Sequence, residues 1–204
     1  MHTGIFSEQQ REVLPYLKVF NRKYYMVGGT AIALHLGHRR SIDFDLFTAK
    51  PITKHRLKKT LSTLPFKQFL LHEDIDQLHL MMNHVKVTFF YYPFEIEHNV
   101  KIRESFRIPS LLSLAAMKAF ALGRRAKWKD YVDLYFIIKD HHNIDEISAE
   151  GNRIFGEQYA EKLFRQQLAF HKDIDYSETV EYLVEAPSDE EIREFLIAKA
   201  VDFV

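Results

Sequence analysis

The sequence predicts an α+β fold, in which a part of mixed helices and strands is followed by a helical part. Every strand-like pattern lies before residue 110, and the chain from Ser110 onward has only helical patterns. The sequence contains no internal repeat and no low-complexity linker. We therefore expect two domains, residues 1–108 and residues 109–204, with the second packed against the first.

The N-terminal part is expected to begin with helix, strand and helix. Ser7 and Gln10 have the spacing of a capping box and precede apolar residues at helical intervals. Residues 24–27 are aromatic and β-branched, which favours a short strand. Residues 30–36 favour a helix that ends at Gly37.

A second strand is expected over residues 42–47, and Thr53 is expected to cap a basic helix that runs to about Leu64. Beyond this helix, apolar residues alternate in three segments that predict a meander of antiparallel strands: residues 69–71, 78–82 and 85–89. In the C-terminal part, helices are expected over residues 110–122 and 127–139, and the acidic remainder should contain two or three more.

The composition is that of an ordinary globular protein and excludes several functional classes. The 24.2 kDa chain is 47% hydrophobic and 27% charged, which argues against disorder. No apolar run approaches the roughly 20 residues of a membrane helix, and the start lacks a signal peptide, so we expect a cytoplasmic protein. The absence of cysteine excludes disulfide scaffolds, thiolate zinc sites and cysteine nucleophiles.

The net charge of zero conceals a division of charge along the chain. Residues 1–141 carry 22 basic and 13 acidic side chains, whereas residues 142–204 carry 6 and 15. The basic part is suited to an anionic substrate, nucleotide or nucleic acid. Alternatively, the two parts attract each other across the fold, and composition alone does not decide between these interpretations.

Two adjacent glycines stand between the first strand and the following helix. Gly28 and Gly29 let the backbone come close to a ligand, and the amides at the helix N-terminus are suited to a phosphate group. Thr30 adds a hydroxyl donor at the same place. Taken alone, a glycine pair is more often only an ordinary turn.

Two aspartates follow on the second strand. Asp43 and Asp45 share one face because side chains alternate along a strand, while Ile42, Phe44 and Leu46 should face the other way. Adjacent carboxylates repel each other, and a shared divalent cation removes this cost. Mg²⁺, or Mn²⁺ in its place, fits an oxygen site of this kind. Although the pair alone could be the polar face of a surface strand, the ordered combination with the glycines favours phosphoryl or nucleotidyl transfer.

Residues 25–47 resemble the signature of the AbiEii/AbiGii toxin family, within the DNA polymerase β-like nucleotidyltransferase superfamily. A second block resembles the helical motif of the family: Leu114–Lys118, Arg124–Arg125 and Lys129–Tyr135. The resemblance covers about residues 20–140. It implies a nucleotidyltransferase fold, with a mixed twisted β-sheet flanked by helices and followed by a C-terminal helical bundle.

The resemblance also implies a function. The chain would be the toxin of a bacterial toxin–antitoxin or phage-defence system, with a cognate antitoxin as a partner. It would transfer a nucleoside monophosphate from an NTP to an RNA, such as tRNA, or to a protein, using Mg²⁺. Two alternatives remain open, namely a non-catalytic module that binds a nucleotide or partner, and an aminoglycoside-type nucleotidyltransferase whose acidic C-terminal segment lines the drug pocket.

The resemblance assigns nucleotide-binding roles to four residues of this motif, and the position of Arg39 next to them adds a fifth candidate. Gly28, Gly29 and Thr30 would hold the triphosphate. Ser41 matches a position that acts in nucleotide binding in related toxins, and Arg39 borders the same site.

Five further residues would form the catalytic site. Asp43 and Asp45 would bind the metal, and Lys118 would face the triphosphate as a fixed positive charge. Asp130 or Asp133 would complete the site from the next helix. On their own, the last two could instead form solvated ion pairs with neighbouring lysines of the helix.

The chain departs from the superfamily pattern at one position. The superfamily has a third carboxylate on a later strand as general base, and the corresponding residue here is Thr88, which cannot act as a base at neutral pH. Either Asp130 or Asp133 supplies this role, or the protein binds nucleotide with little turnover. Glu95 and Glu97 are weaker substitutes.

Basic residues near the motif are candidates for contact with an RNA backbone: Arg39, Arg40, Lys54, Arg56, Lys58 and Lys59. The four that belong to the predicted basic helix could equally form a solvated helix face.

Overall fold

The computed structural model describes residues 1–102, 106–122 and 124–202. The described residues form eight α-helices: α1 (Glu8–Leu17), α2 (Gly28–Leu36), α3 (Lys54–Leu61), α4 (Leu111–Leu122), α5 (Trp128–Asp140), α6 (Ile144–Phe155), α7 (Glu161–Ala169) and α8 (Asp189–Val201). They also form seven strands: β1 (Tyr25–Val27), β2 (Phe44–Thr48), β3 (Gln68–Asp74), β4 (Gln77–Met82), β5 (Val85–Tyr91), β6 (Val100–Ile102) and β7 (Phe106–Ile108).

Five strands form a mixed sheet in the order β1-β2-β5-β4-β3. Strands β2 and β5 are parallel, and the other neighbours in the sheet are antiparallel. The α+β class, the mixed sheet and the meander of β3, β4 and β5 are therefore confirmed.

The separate two-stranded hairpin of β6 and β7 was not expected. Each of its strands has three residues, which is too short to show an alternating pattern in the sequence.

Local sequence signals explain where the first helices begin and end. Ser7 and Gln10 form the predicted capping box, in which each side chain accepts a hydrogen bond from the backbone N–H of the other. Helix α2 ends at Gly37, which adopts the left-handed conformation with a φ of 72°. Strand β2 begins at Phe44 rather than at residue 42, and Ile42 is 59% exposed instead of facing the core.

The buried apolar residues form one cluster that includes both parts of the chain. Helix α2 packs against α4 and α5, so the element after the glycine pair lies against the C-terminal part. The division at residue 108 stays a prediction, but the two sides of it share this core.

The basic part of the chain, residues 1–141, and the acidic part, residues 142–204, are joined by ion pairs. Arg40 pairs with Glu181 at 2.5 Å, and Glu178 pairs with both Lys127 and Lys129. These contacts hold the segment between α7 and α8 against the rest of the protein. They support the interpretation that the two parts attract each other.

None of the described helices is both long enough and apolar enough to cross a membrane.

Candidate active site

The glycine pair and the aspartate pair lie together at one edge of the sheet. In the register of β1 and β2, Val27 is opposite Asp45, which brings the end of β1 beside that carboxylate. Gly28 has a φ of 72°, and a Cβ atom on it would clash with Asp45 Oδ2. A side chain at this position would therefore be strained and would displace the carboxylate.

Gly29 makes room for two other predicted residues. A Cβ atom here would lie 2.7 Å from Arg39 Nη2 and 3.1 Å from Ser41 Oγ. The structure thus brings Arg39 and Ser41 against the first turn of α2, next to the aspartates.

Thr30 holds the loop that leads into β2. Its buried hydroxyl donates a hydrogen bond to the backbone oxygen of Asp43 and lies 3.0 Å from Ser41 Oγ. Gln10 Nε2 donates to the backbone oxygen of Ser41 at 2.9 Å. The expectation that the Thr30 hydroxyl faces a triphosphate is therefore corrected, because this hydroxyl positions Asp43.

The aspartate side chains are suited to a cation. Burial raises the pKa of Asp43, and the negative charge of Asp45 raises it further. Burial also raises the pKa of Asp45, although the charges of Lys86, Arg125 and Lys118 oppose this shift. Neither carboxylate makes an ion pair with a described residue. A bound cation would stabilise both ionised groups.

The two carboxylates fit a magnesium ion that also binds water or phosphate oxygens. Among the described residues, no group of three or more aspartate, glutamate, histidine or cysteine side chains could hold a metal. Asp43 and Asp45 would therefore supply two oxygen ligands, and water and phosphate oxygens would supply the rest. Mg²⁺ is commonly held in this way in nucleotide sites.

A buried network behind this edge is centred on Asp133, which has no exposed side-chain surface. Arg39 binds its two oxygens through Nε and Nη2, each at 2.8 Å. His38 Nε2 and Lys118 Nζ lie 2.8 Å and 2.9 Å from the same carboxylate. Burial alone would raise the pKa of Asp133, but the charges of Arg39 and Lys118 and the bond to His38 hold it well below its ordinary value.

Asp130 joins the same network. Lys118 Nζ donates to its Oδ1, and Arg125 Nε lies 3.1 Å from its Oδ2. Burial would lower the pKa of Lys118, but the carboxylates of Asp130 and Asp133 raise it overall, so the ammonium group stays charged. The alternative of solvated ion pairs on α5 is therefore wrong for Asp130 and Asp133.

Comparisons with known proteins identify the family. A family model described as "Nucleotidyl transferase AbiEii toxin, Type IV TA system" matches residues 17–201. The chain belongs to this family. A protein of Aquifex aeolicus (strain VF5) that carries only the description "uncharacterized" is 27% identical to this AbiEii family member, over 97% of each chain.

Solved structures share the fold of this AbiEii family member. A putative nucleotidyltransferase from H. pylori has a TM-score of 0.61 and 19% identity, with 95% of this chain and 94% of that chain covered. The nucleotidyltransferase toxin MenT4 from Mycobacterium tuberculosis H37Rv also has a TM-score of 0.61, with 10% identity and coverage of 95% and 82%. The nucleotidyltransferase fold expected from the resemblance is confirmed.

In this AbiEii family member, Thr88 occupies the position at which the superfamily has its third carboxylate. Thr88 is directly opposite Asp45 in the register of β2 and β5. Asp130 and Asp133 are buried and paired with cations, which does not fit a general base. Glu95 and Glu97 line a cleft at the other end of β2, so they are not substitutes at this edge.

The basic residues do not form one surface. Arg39 is 2% exposed, so the expectation that it contacts RNA is wrong, and Arg40 is engaged with Glu181. Lys54 and Lys58 both pair with Glu73. Of the six candidates, Arg56 and Lys59 are exposed and make no ion pair with a described residue.

Three functional candidates were missed because their sequence signals are weak. Lys86 lies on β5 beside the strand of the aspartates, and its charge lowers the pKa of Asp43 and Asp45. Arg125 acts on Asp45 in the same way, and it belongs to the second block of the family resemblance. His38 contacts Asp133 from 95 positions earlier in the chain, and no local pattern predicts that contact.

Proposed function

We propose that this AbiEii family member transfers a nucleoside monophosphate from an NTP to a hydroxyl group of an RNA, such as tRNA, or of a protein, with release of pyrophosphate. The observation that carries this proposal is the close approach of Gly28 to the Asp45 carboxylate, which is partly buried and makes no ion pair with a described residue. A phosphate-binding turn beside two carboxylates provides the components for this transfer. A nucleotide-dependent toxin of this kind would act in the cytoplasm and would be restrained by a cognate antitoxin.

Each residue of the candidate active site has a role in this proposal. The amides of Gly28 and Gly29, at the start of α2, would bind the phosphates of the NTP. Asp43 and Asp45 would hold Mg²⁺, which supplies charge stabilisation to the transferring phosphoryl group when it is bound. Lys118 and Arg125 would add positive charge behind the site, where negative charge develops during transfer.

The buried network would position this charge. Asp130 and Asp133 keep Lys118 ionised, and Arg39 ties Asp133 to the loop that carries Ser41. Phosphoryl transfer depends mainly on positioning and electrostatic stabilisation. The missing third carboxylate is therefore expected to reduce the rate rather than to prevent the reaction.

The proposal is tested by incubating the protein with each α-labelled NTP, Mg²⁺ and total tRNA. We expect label to enter RNA with the wild type and not with Asp43→Ala. Asp76→Ala, an exposed aspartate in the turn between β3 and β4, is the matched control and should retain activity. If the wild type labels neither RNA nor protein with any NTP, the proposal is contradicted.

A non-catalytic nucleotide-binding module is the second candidate, and Thr88 opposite Asp45 is the observation that favours it. Calorimetry separates the two, because a transferase should bind NTP more tightly with Mg²⁺ than without it. The aminoglycoside alternative has less support, because three carboxylates of the acidic segment, Glu178, Glu181 and Glu191, pair with lysines and an arginine of this chain.

A further inference from the structure

A second cleft lies at the other end of the strands that form the candidate active site. It has a volume of about 1040 Å³ and includes Tyr25 of β1 and Thr48 of β2. Asp45 and Thr48 are three residues apart, which corresponds to about 10 Å along a strand. The cleft is therefore separate from the edge that carries Asp43 and Asp45.

Cationic residues outnumber carboxylates in the lining of this cleft, although the net charge of the whole protein is zero. Four exposed cationic residues line it and make no ion pair with a described residue: Arg22, Lys23, Lys50 and Arg56. A fifth, Arg153, pairs with Glu150, and two carboxylates, Glu95 and Glu97, also line the cleft. Unpaired cations that surround one concave surface are suited to an anionic ligand with several charges.

Aromatic rings are part of the same lining. The rings of Tyr25 and His98 are stacked, with centroids 4.4 Å apart and an angle of 12° between their planes. Tyr25 is buried, whereas His98 is partly exposed. Rings combined with cations are the features by which proteins bind unpaired nucleotides, because bases stack on rings and phosphates contact cations.

We propose that this cleft is a second nucleotide-binding site, which binds phosphate groups through Arg22, Lys50 and Arg56 and a base beside His98. The ligand chemistry is that of a nucleoside phosphate, supplied either by a strand of RNA or by a free nucleotide. Binding here is independent of the transfer reaction proposed above. It can therefore be measured when no Mg²⁺ is present.

The test compares two double variants that remove equal charge from exposed positions. Arg22→Ala/Arg56→Ala changes the cleft, and Lys162→Ala/Lys172→Ala is the matched control outside it. In EDTA, the probes are a fluorescein-labelled oligoribonucleotide of about 12 nucleotides, measured by anisotropy, and ATP, measured by calorimetry. Far-UV circular dichroism and thermal unfolding check that both variants fold.

We expect the cleft variant to lose at least about tenfold in affinity for one probe, because two phosphate contacts are removed. For the oligoribonucleotide, the slope of log affinity against log salt should also fall by about 1.4. The control should stay within about twofold of the wild type. Loss for the oligoribonucleotide alone identifies RNA as the ligand, and loss for ATP alone identifies a free nucleotide.

A second pair of variants tests the stacking contact without changing the number of arginines and lysines. His98→Ala should weaken binding of the same probe, whereas His98→Phe should retain it, because a phenyl ring still stacks on a base. The proposal is overturned if Arg22→Ala/Arg56→Ala binds both probes as the wild type does. It is also overturned if Lys162→Ala/Lys172→Ala weakens binding equally.

Discussion

Arg39 and Asp133 form a two-pronged ion pair inside the protein, with both N–O distances at 2.8 Å. The two residues are 94 positions apart, and their side chains are 2% and 0% exposed. The pair joins the loop after α2 to α5. Because Arg39 also lies against Gly29, the pair connects the C-terminal part of the chain directly to the candidate active site.

Replacing Arg39 by alanine should destabilise the protein by about 3–5 kcal/mol, because Asp133 would lose its main partner inside the protein. The matched control is Arg40→Ala, which removes a pair with the largely exposed Glu181 and should cost about 0–1 kcal/mol. Urea unfolding of the three proteins measures both differences. Equal losses for the two variants would contradict the structural role of Arg39.

Replacing Gly28 by alanine should cost about 1–2 kcal/mol of stability for its positive φ alone. It should also reduce nucleotidyl transfer by about 100-fold, because the new methyl group displaces the Asp45 carboxylate. The control is Gly156→Ala, because Gly156 also has a positive φ but has open space where a Cβ atom would lie. This variant should lose stability and keep activity. Thermal unfolding and initial rates are the measurements, and full activity in Gly28→Ala would refute the contact.

Replacing Thr30 by valine should lower stability by about 1–3 kcal/mol, because the backbone oxygen of Asp43 loses a buried donor. The loop that carries Asp43 would move, and transfer should slow. Thr30→Ser keeps the hydroxyl and should retain most of the activity. If Thr30→Val and Thr30→Ser are equally active, the Thr30 hydroxyl does not position Asp43.

Replacing Asp45 by asparagine should stabilise the metal-free protein at pH 7.5 by about 0.5–2 kcal/mol, a common result of relieving strain at an active site. Burial raises the folded-state pKa of Asp45. At pH values between the pKa of the unfolded chain and this higher pKa, the folded wild type holds a proton that the unfolded chain has lost. The stability of the wild type therefore falls as the pH rises between these two pKa values. The advantage of the variant should therefore shrink at pH 4.5. Chemical unfolding in EDTA at both pH values, with Asp76→Asn as control, measures it, and an advantage that grows at pH 4.5 would contradict the raised pKa.

Short-range patterns in the sequence were sufficient to predict the strand and the turn that form the candidate active site. Alternation along residues 42–47 predicted a strand, which begins at Phe44, and the glycines after β1 predicted the turn, because these signals depend on neighbouring residues. The capping box of Ser7 and Gln10 is of the same kind. Such features are encoded locally and can be predicted from one sequence.

The partners of the charged residues could not be predicted in this way. The sequence does not indicate that Arg39 turns inward to Asp133 while the adjacent Arg40 reaches Glu181. Thr30 was assigned to a phosphate for the same reason, since its bond to Asp43 depends on how the loop folds back over α2. Contacts of this kind depend on the tertiary arrangement of distant segments.

The ion pair of Arg39 with Asp133 has a consequence for synthesis on the ribosome. A nascent chain that has emerged only to residue 108 already contains the glycine turn and the aspartates, but it lacks Lys118 and Asp133. Until α5 emerges, the Arg39 guanidinium has no carboxylate to hold it in place. A truncated translation product would therefore lack the contact that holds the Arg39 guanidinium beside Gly29.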